Sequence, residues 1–95
     1  MAERGFYVIA YDVTDDKRRS KVARTLESVG DRVQGSVFEA YLTPTELDKL
    51  LKKVKRVIEG EEDSLRVYLL CAACREKVHT EGRGKVTPPP GVRIV

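Results

Sequence analysis

The chain has 95 residues, enough for one domain with a modest core, so a face buried against a second copy would add burial that it cannot supply alone. Apolar residues make up 41% and charged residues 35%, which excludes a disordered tail, and the charged share sits above the usual level of about 25%, a feature also met in thermophiles. Net charge is +3 and the excess is local: from Ala72 onward five basic residues face two acidic ones, while the remainder is balanced at 13 against 13, which permits nucleic-acid binding without establishing it.

Phe6 to Tyr11 is β-branched and aromatic and reads as a central strand buried on both faces, ending at Asp12. Thr14-Asp15-Asp16 then offers helix N-cap side chains. Val22, Leu26 and Val29, joined by Ala23, form one helical stripe over Asp15 to Val29, with Gly30 expected as a left-handed C-terminal stop. Val33 to Leu42 reads as a second strand in which Gly35 marks a bulge or a close backbone approach.

Thr43-Pro44-Thr45-Glu46 has the form of a capping box with proline at the first helical position. Leu47, Leu50, Leu51, Val54, Val57 and Ile58 follow at helical spacing, Gly60 is expected to stop the helix, and Glu61-Glu62-Asp63 to form an exposed acidic turn. Ser64 to Cys71 reads as a third strand and Arg75 to Thr80 as a short fourth. Gly82, Gly84 and Pro88-Pro89-Pro90 make a stiff connector to a last strand at Gly91 to Val95. The expected organisation is a domain over residues 1–81 and a connector with a last strand over 82–95.

This order predicts an α+β fold, a ferredoxin-like βαββαβ sandwich with both helices on one sheet face. The other face would stay open, and dimerisation is the expected way to cover it. No apolar run approaches the roughly 18 to 20 residues needed to span a bilayer, and the start lacks the form of a signal peptide. With two cysteines and no disulfide framework, the expected location is cytoplasmic, with no membrane partner.

Lys17, Arg18, Arg19 and Lys21 occupy the opening turns of the first helix, where the helix dipole favours acids. They suit either a phosphate-binding helix start or a solvated face offset by Asp15 and Asp16. Asp12, at the carboxyl end of the central strand, reads either as a turn residue or as a metal-binding carboxylate. Magnesium needs one or two carboxylates beside its waters, so one Asp12 from each of two subunits would suffice. Cys71-Ala72-Ala73-Cys74 lacks the second ligand pair a zinc site needs, and Cys71 reads as a buried strand end. His79 is the only histidine and lies far from these residues in sequence.

Tyr11-Asp12-Val13-Thr14-Asp15-Asp16-Lys17-Arg18-Arg19, followed by Gly30-Asp31-Arg32-Val33-Gln34-Gly35-Ser36-Val37-Phe38-Glu39, resembles the signature of the CRISPR-associated endonuclease family Cas-two, over about Phe6 to Leu70. The resemblance implies a homodimer whose terminal strand completes the partner's sheet, which would make the last strand a C-terminal dimerisation strand. It also implies a place in spacer acquisition beside an integrase subunit and, in some members, metal-dependent cleavage of RNA or DNA with Mg2+ or Mn2+. By motif position, Asp12 would bind the metal, and Tyr11, Arg19, Arg32 and Phe38 would contribute to activity. Lys17, Arg18, Arg19, Lys21 and Arg32 would contact nucleic acid. Lys21 departs from the family's arginine, keeping the charge without the bidentate fork. Three classes follow: a metal-dependent endonuclease, a non-catalytic DNA-binding bridge for integrase subunits, and a ribonuclease toxin or ligand-sensing module of similar fold.

Overall fold

A computed structural model describes residues 3–82 and residue 86. Its elements run β1 (Gly5–Asp12), α1 (Asp16–Glu27), β2 (Asp31–Gln34), β3 (Val37–Leu42), α2 (Pro44–Val57), β4 (Ser64–Leu70) and α3 (Ala72–Glu76). The four strands form one antiparallel sheet in the order β2-β3-β1-β4. This is the ferredoxin-like βαββαβ arrangement, with α3 appended. The expected terminal strand at 91–95, and the connector before it apart from residues 82 and 86, lie outside the described residues.

One face of the sheet makes the core. Tyr7, Ile9 and Tyr11 of β1, Phe38, Ala40 and Leu42 of β3, Val22, Ala23 and Leu26 of α1, and Leu50 and Val54 of α2 form a single buried cluster. The alternation of β1 places Val8, Ala10 and Asp12 on the opposite face, where Val8 and Ala10 are only half-buried. The apolar run of β1 is therefore central in the sheet but not buried on both faces in one chain. Val8 and Ala10 share that open face with Val37, and Tyr68 there remains 47% exposed.

The segment read as one strand from Val33 is a hairpin. β2 and β3 are joined through Gly35 and Ser36, and the bulge falls between Arg32 and Gln34 rather than at Gly35. An added Cβ at Gly35 would meet nothing within 4 Å. Gly30 is not a left-handed stop either, because Gly82 is the only positive-φ glycine among the described residues. Its role is close packing: a Cβ there would lie 2.5 Å from the Glu39 carbonyl oxygen and 2.8 Å from Ala40 Cβ. With α1 ending at Glu27, Val29 leaves the core stripe and is exposed.

The capping box forms as expected. Glu46 N–H donates to Thr43 Oγ1, and the Thr43 N–H donates to the Glu46 carboxylate, which also receives Arg4. The helix it opens stops at Val57 because Ile58 adopts an extended conformation, before Gly60 is reached. The acidic turn that follows is only partly exposed, since Asp63 turns inward with a fully buried carboxylate. It accepts from the backbone N–H groups of Glu59 (2.8 Å) and Thr14 (3.1 Å) and from Arg18 Nε at 2.9 Å. The segment from Arg75 is not a strand: α3 runs to Glu76, and Arg75 reaches across to the Tyr41 ring and hydroxyl.

The Arg18 guanidinium, followed by the Glu59 and Thr14 amides, holds the Asp63 carboxyl down at about 2 against an ordinary 3.8. A depressed carboxyl contributes stability above its unfolded pKa and loses it as pH falls through the folded value. Asp63→Asn is expected to lower Tm by roughly 5–10 °C at pH 7. The gap from wild type should close as pH falls from about 4 to about 2, which thermal melts across that range measure. Gly30→Ala should cost about 1–3 kcal/mol in urea unfolding, because the Glu39 backbone must move to admit the methyl group.

Candidate nucleic-acid interface

The end of β1 is held from three sides. Val13 is buried and anchors the chain after Asp12, Thr14 N–H donates to Asp63, and the Asp15 side chain caps α1 by accepting from Arg18 N–H at 2.9 Å. That amide bond, with the nearby Arg18 and Lys17 charges, lowers the Asp15 pKa. Asp12 is left exposed on the open face, opposite Ser64 of β4. The hairpin turn arrives beside it, since Tyr11 N–H donates to the Ser36 carbonyl and the Tyr11 hydroxyl to the Gly35 carbonyl at 3.1 Å. Arg66, which pairs with Ala10, shares this face and bonds the Tyr68 hydroxyl.

The five expected cations do not form one cluster. Arg18 is half-buried and committed to Asp63, with Glu62 3.7 Å away. Arg19 folds back onto the β1–α1 turn, donating to the Val13 carbonyl at 3.0 Å and pairing with Asp16. Its guanidinium thus lies one residue past Asp12, still half-exposed. Lys17 and Lys21 are exposed and line a shallow groove of about 370 Å³ with Asp16, Ser20 and Arg24. Among the described residues no carboxylate pairs with Lys17, Lys21 or Arg24. Arg24 escaped the sequence reading although 17, 21 and 24 follow i, i+4, i+7.

Arg32 sits on edge strand β2, over the Phe38 ring at 5.3 Å and 3.9 Å from Glu27 at the far end of α1. That end is about 12 Å along the helix from Arg19, so Arg32 and Asp12 are not neighbours within one chain. Phe38 is fully buried and Tyr11 nearly so, their rings 6.1 Å apart. Neither can stack on a base in this conformation; both fix the strands that carry Asp12 and Arg32. His79 is exposed and pairs with Glu81, away from these residues.

As for a metal, no group of three or more His, Cys, Asp or Glu among the described residues could hold one. One chain offers the Asp12 carboxylate, and a second copy's would complete a pair suited to a hydrated divalent ion. No helix among the described residues is long and apolar enough to cross a membrane.

Comparison with known proteins places these features in a lineage. The family model described as CRISPR associated protein Cas2 matches residues 5–78. The "CRISPR-associated endoribonuclease Cas2 3" of Synechocystis is 46% identical over 89 residues, covering 94% of this chain and 97% of the relative. The crystal structure of Streptococcus pyogenes Cas2 at pH 6.5 superposes with a TM-score of 0.74 at 34% identity, covering 81% of this chain and 99% of that one. A chain of a "Partial Cas6-RT-Cas1--Cas2 complex" superposes with a TM-score of 0.72 at 39% identity, covering 80% and 89%.

Phe38→Ala is expected to cost about 3–5 kcal/mol in urea unfolding, as for removal of any fully buried ring, whereas Phe38→Leu should cost clearly less. If both variants unfold like wild type, Phe38 does not support the strands as described.

Proposed function

The chain belongs to the CRISPR associated protein Cas2 family, and from that premise we propose that it works as a homodimer that binds nucleic-acid backbone during spacer acquisition. The observation that carries this reading is the row of uncommitted cations Lys17, Lys21 and Arg24 along α1. Folding consumes Arg18 and partly Arg19, but these three remain in solvent at helical spacing, suited to successive phosphates and blind to base sequence. Dimerisation is supported by the open sheet face, where Val8, Ala10, Val37 and Tyr68 leave apolar surface of a small domain uncovered. An integrase subunit is the expected partner, in keeping with the "Partial Cas6-RT-Cas1--Cas2 complex", one chain of which has this fold.

A second reading, phosphodiester cleavage, is favoured by one observation: Asp12 is exposed on that same open face, with no cation committed to it among the described residues. Pairing two copies through this face would bring two such carboxylates together, a donor set adequate for Mg2+ or Mn2+. The ion would supply Lewis acidity toward a phosphoryl oxygen and toward water. This chain's own contribution is to hold that carboxylate on a rigid strand end, while the Arg19 guanidinium, bonded to the carbonyl of the next residue, would orient the phosphate and offset its charge. Lys17, Lys21 and Arg24 would hold the backbone in register with that point. A toxin or ligand-sensing role has no observation of its own in support.

Two measurements test these readings. Lys17→Ala/Lys21→Ala/Arg24→Ala should weaken duplex DNA binding by at least about a hundredfold at low salt and flatten the log–log salt dependence by about 2–3 per chain. An unchanged slope would remove α1 from the interface. Asp12→Asn should bind like wild type and lose any Mg2+- or Mn2+-dependent cleavage of RNA or DNA, read on a denaturing gel. Spacer integration by Asp12→Asn at wild-type rate would identify the binding role as the physiological one.

A further inference from the structure

Away from the basic groove, the end of β4 carries two thiols for which nucleic-acid binding has no use. Cys71 does not end the strand as a buried side chain; it is the N-cap of α3, and both it and Cys74 are exposed. Cys74 is the third residue of the helix, the position toward which an N-cap side chain folds. Its N–H donates to Cys71 Sγ at 3.4 Å. The backbone thus sets Cys71 Sγ against the amide of the residue that carries the second thiol, within the first turn of α3.

The two thiols are chemically unequal. The Cys74 N–H, followed by the Cys74 thiol, stabilises a thiolate at Cys71 and lowers its pKa. The same contact raises the pKa of Cys74, which keeps its proton longer. Cys71 also lines an open pocket of about 600 Å³ with Arg4, Phe6, Tyr41, Leu69 and Arg75. There is space for a small molecule beside the more acidic sulfur.

We propose that Cys71 and Cys74 form a reversible dithiol–disulfide site that a small-molecule disulfide oxidises through the pocket beside Cys71. The Cys71 thiolate attacks one sulfur of the small disulfide, forming a mixed disulfide and releasing the first small thiolate. Cys74 loses its proton to solvent and attacks Cys71 Sγ. The bond between the two protein sulfurs forms, and the second small thiolate leaves. Two electrons pass from the protein pair to the small disulfide, which ends as two thiols once protonated. The closed state ties the first turn of α3 covalently; a small dithiol reopens it.

The reduced full-length chain, freed of reductant, is exposed to oxidised glutathione at pH 7, alkylated after timed intervals and weighed intact. Wild type should lose the mass of two hydrogens with no retained glutathione, and dithiothreitol should restore it. Cys74→Ser should trap one glutathione on Cys71, and Cys71→Ser should react at Cys74 at least about tenfold more slowly. Glutathione retained on both cysteines of wild type, thiols that stay fully alkylatable, or a disulfide linking two chains would each overturn the proposal. So would equal rates for the two single variants. The wild-type mass decides the matter even if a variant folds poorly.

Discussion

The rest of the structure depends on a single buried carboxylate. Asp63 receives Arg18 Nε and the backbone amides of Thr14 and Glu59, so one side chain joins the start of α1, the end of α2 and the entry to β4. An ionised carboxylate taken out of water must be bonded on every side, and these donors achieve that with geometry that allows few alternatives. Because Thr14 is tied down and Val13 is buried, the turn after β1 has little freedom, and Asp12 is left at a defined point on the open face.

That arrangement divides the cationic helix start into two kinds of charge. Arg18 works inward, holding the fold together; Arg19 is half committed, bound to the Val13 carbonyl and to Asp16. Lys17, Lys21 and Arg24 work outward. A run of adjacent basic residues is spread around a helix at about 100° per residue, so neighbours in sequence meet different surroundings. The stripe that remains for a polyanion therefore includes Arg24, three residues past the basic run, and omits Arg18, which lies in the middle of it.

Much of the architecture was legible in the residues. The capping box at Thr43 and Glu46, the apolar spacing of α2 and the overall βαββαβ order follow from local chemistry and form as read, although Val33 to Leu42 is a hairpin and Arg75 to Thr80 is not a strand. The misreadings share one cause, which is that the deciding contact lay in the packing and not in the local pattern of residue types. Gly30 is glycine because the Glu39 carbonyl packs against it, not because the chain turns left-handed there. Asp63 is buried because Arg18, 45 residues away, comes to it. Arg32 meets Glu27 and Phe38 and so leaves the neighbourhood of Asp12. The pair at Cys71 and Cys74 opens a helix that a five-residue segment with no buried side chain could not announce.

By itself, the sequence determined the two long helices, the central strand, the family and the motif that carries Asp12, because propensity, capping and hydrophobic period act over a few residues. Only the tertiary structure decided which charges are consumed by folding and which stay in solvent. It also decided which side of β1 is covered by helices and which is open. Those outcomes depend on burial and on pairing between segments more than 40 residues apart, and a side chain's solvation is a property of everything packed around it, not of its neighbours in the chain.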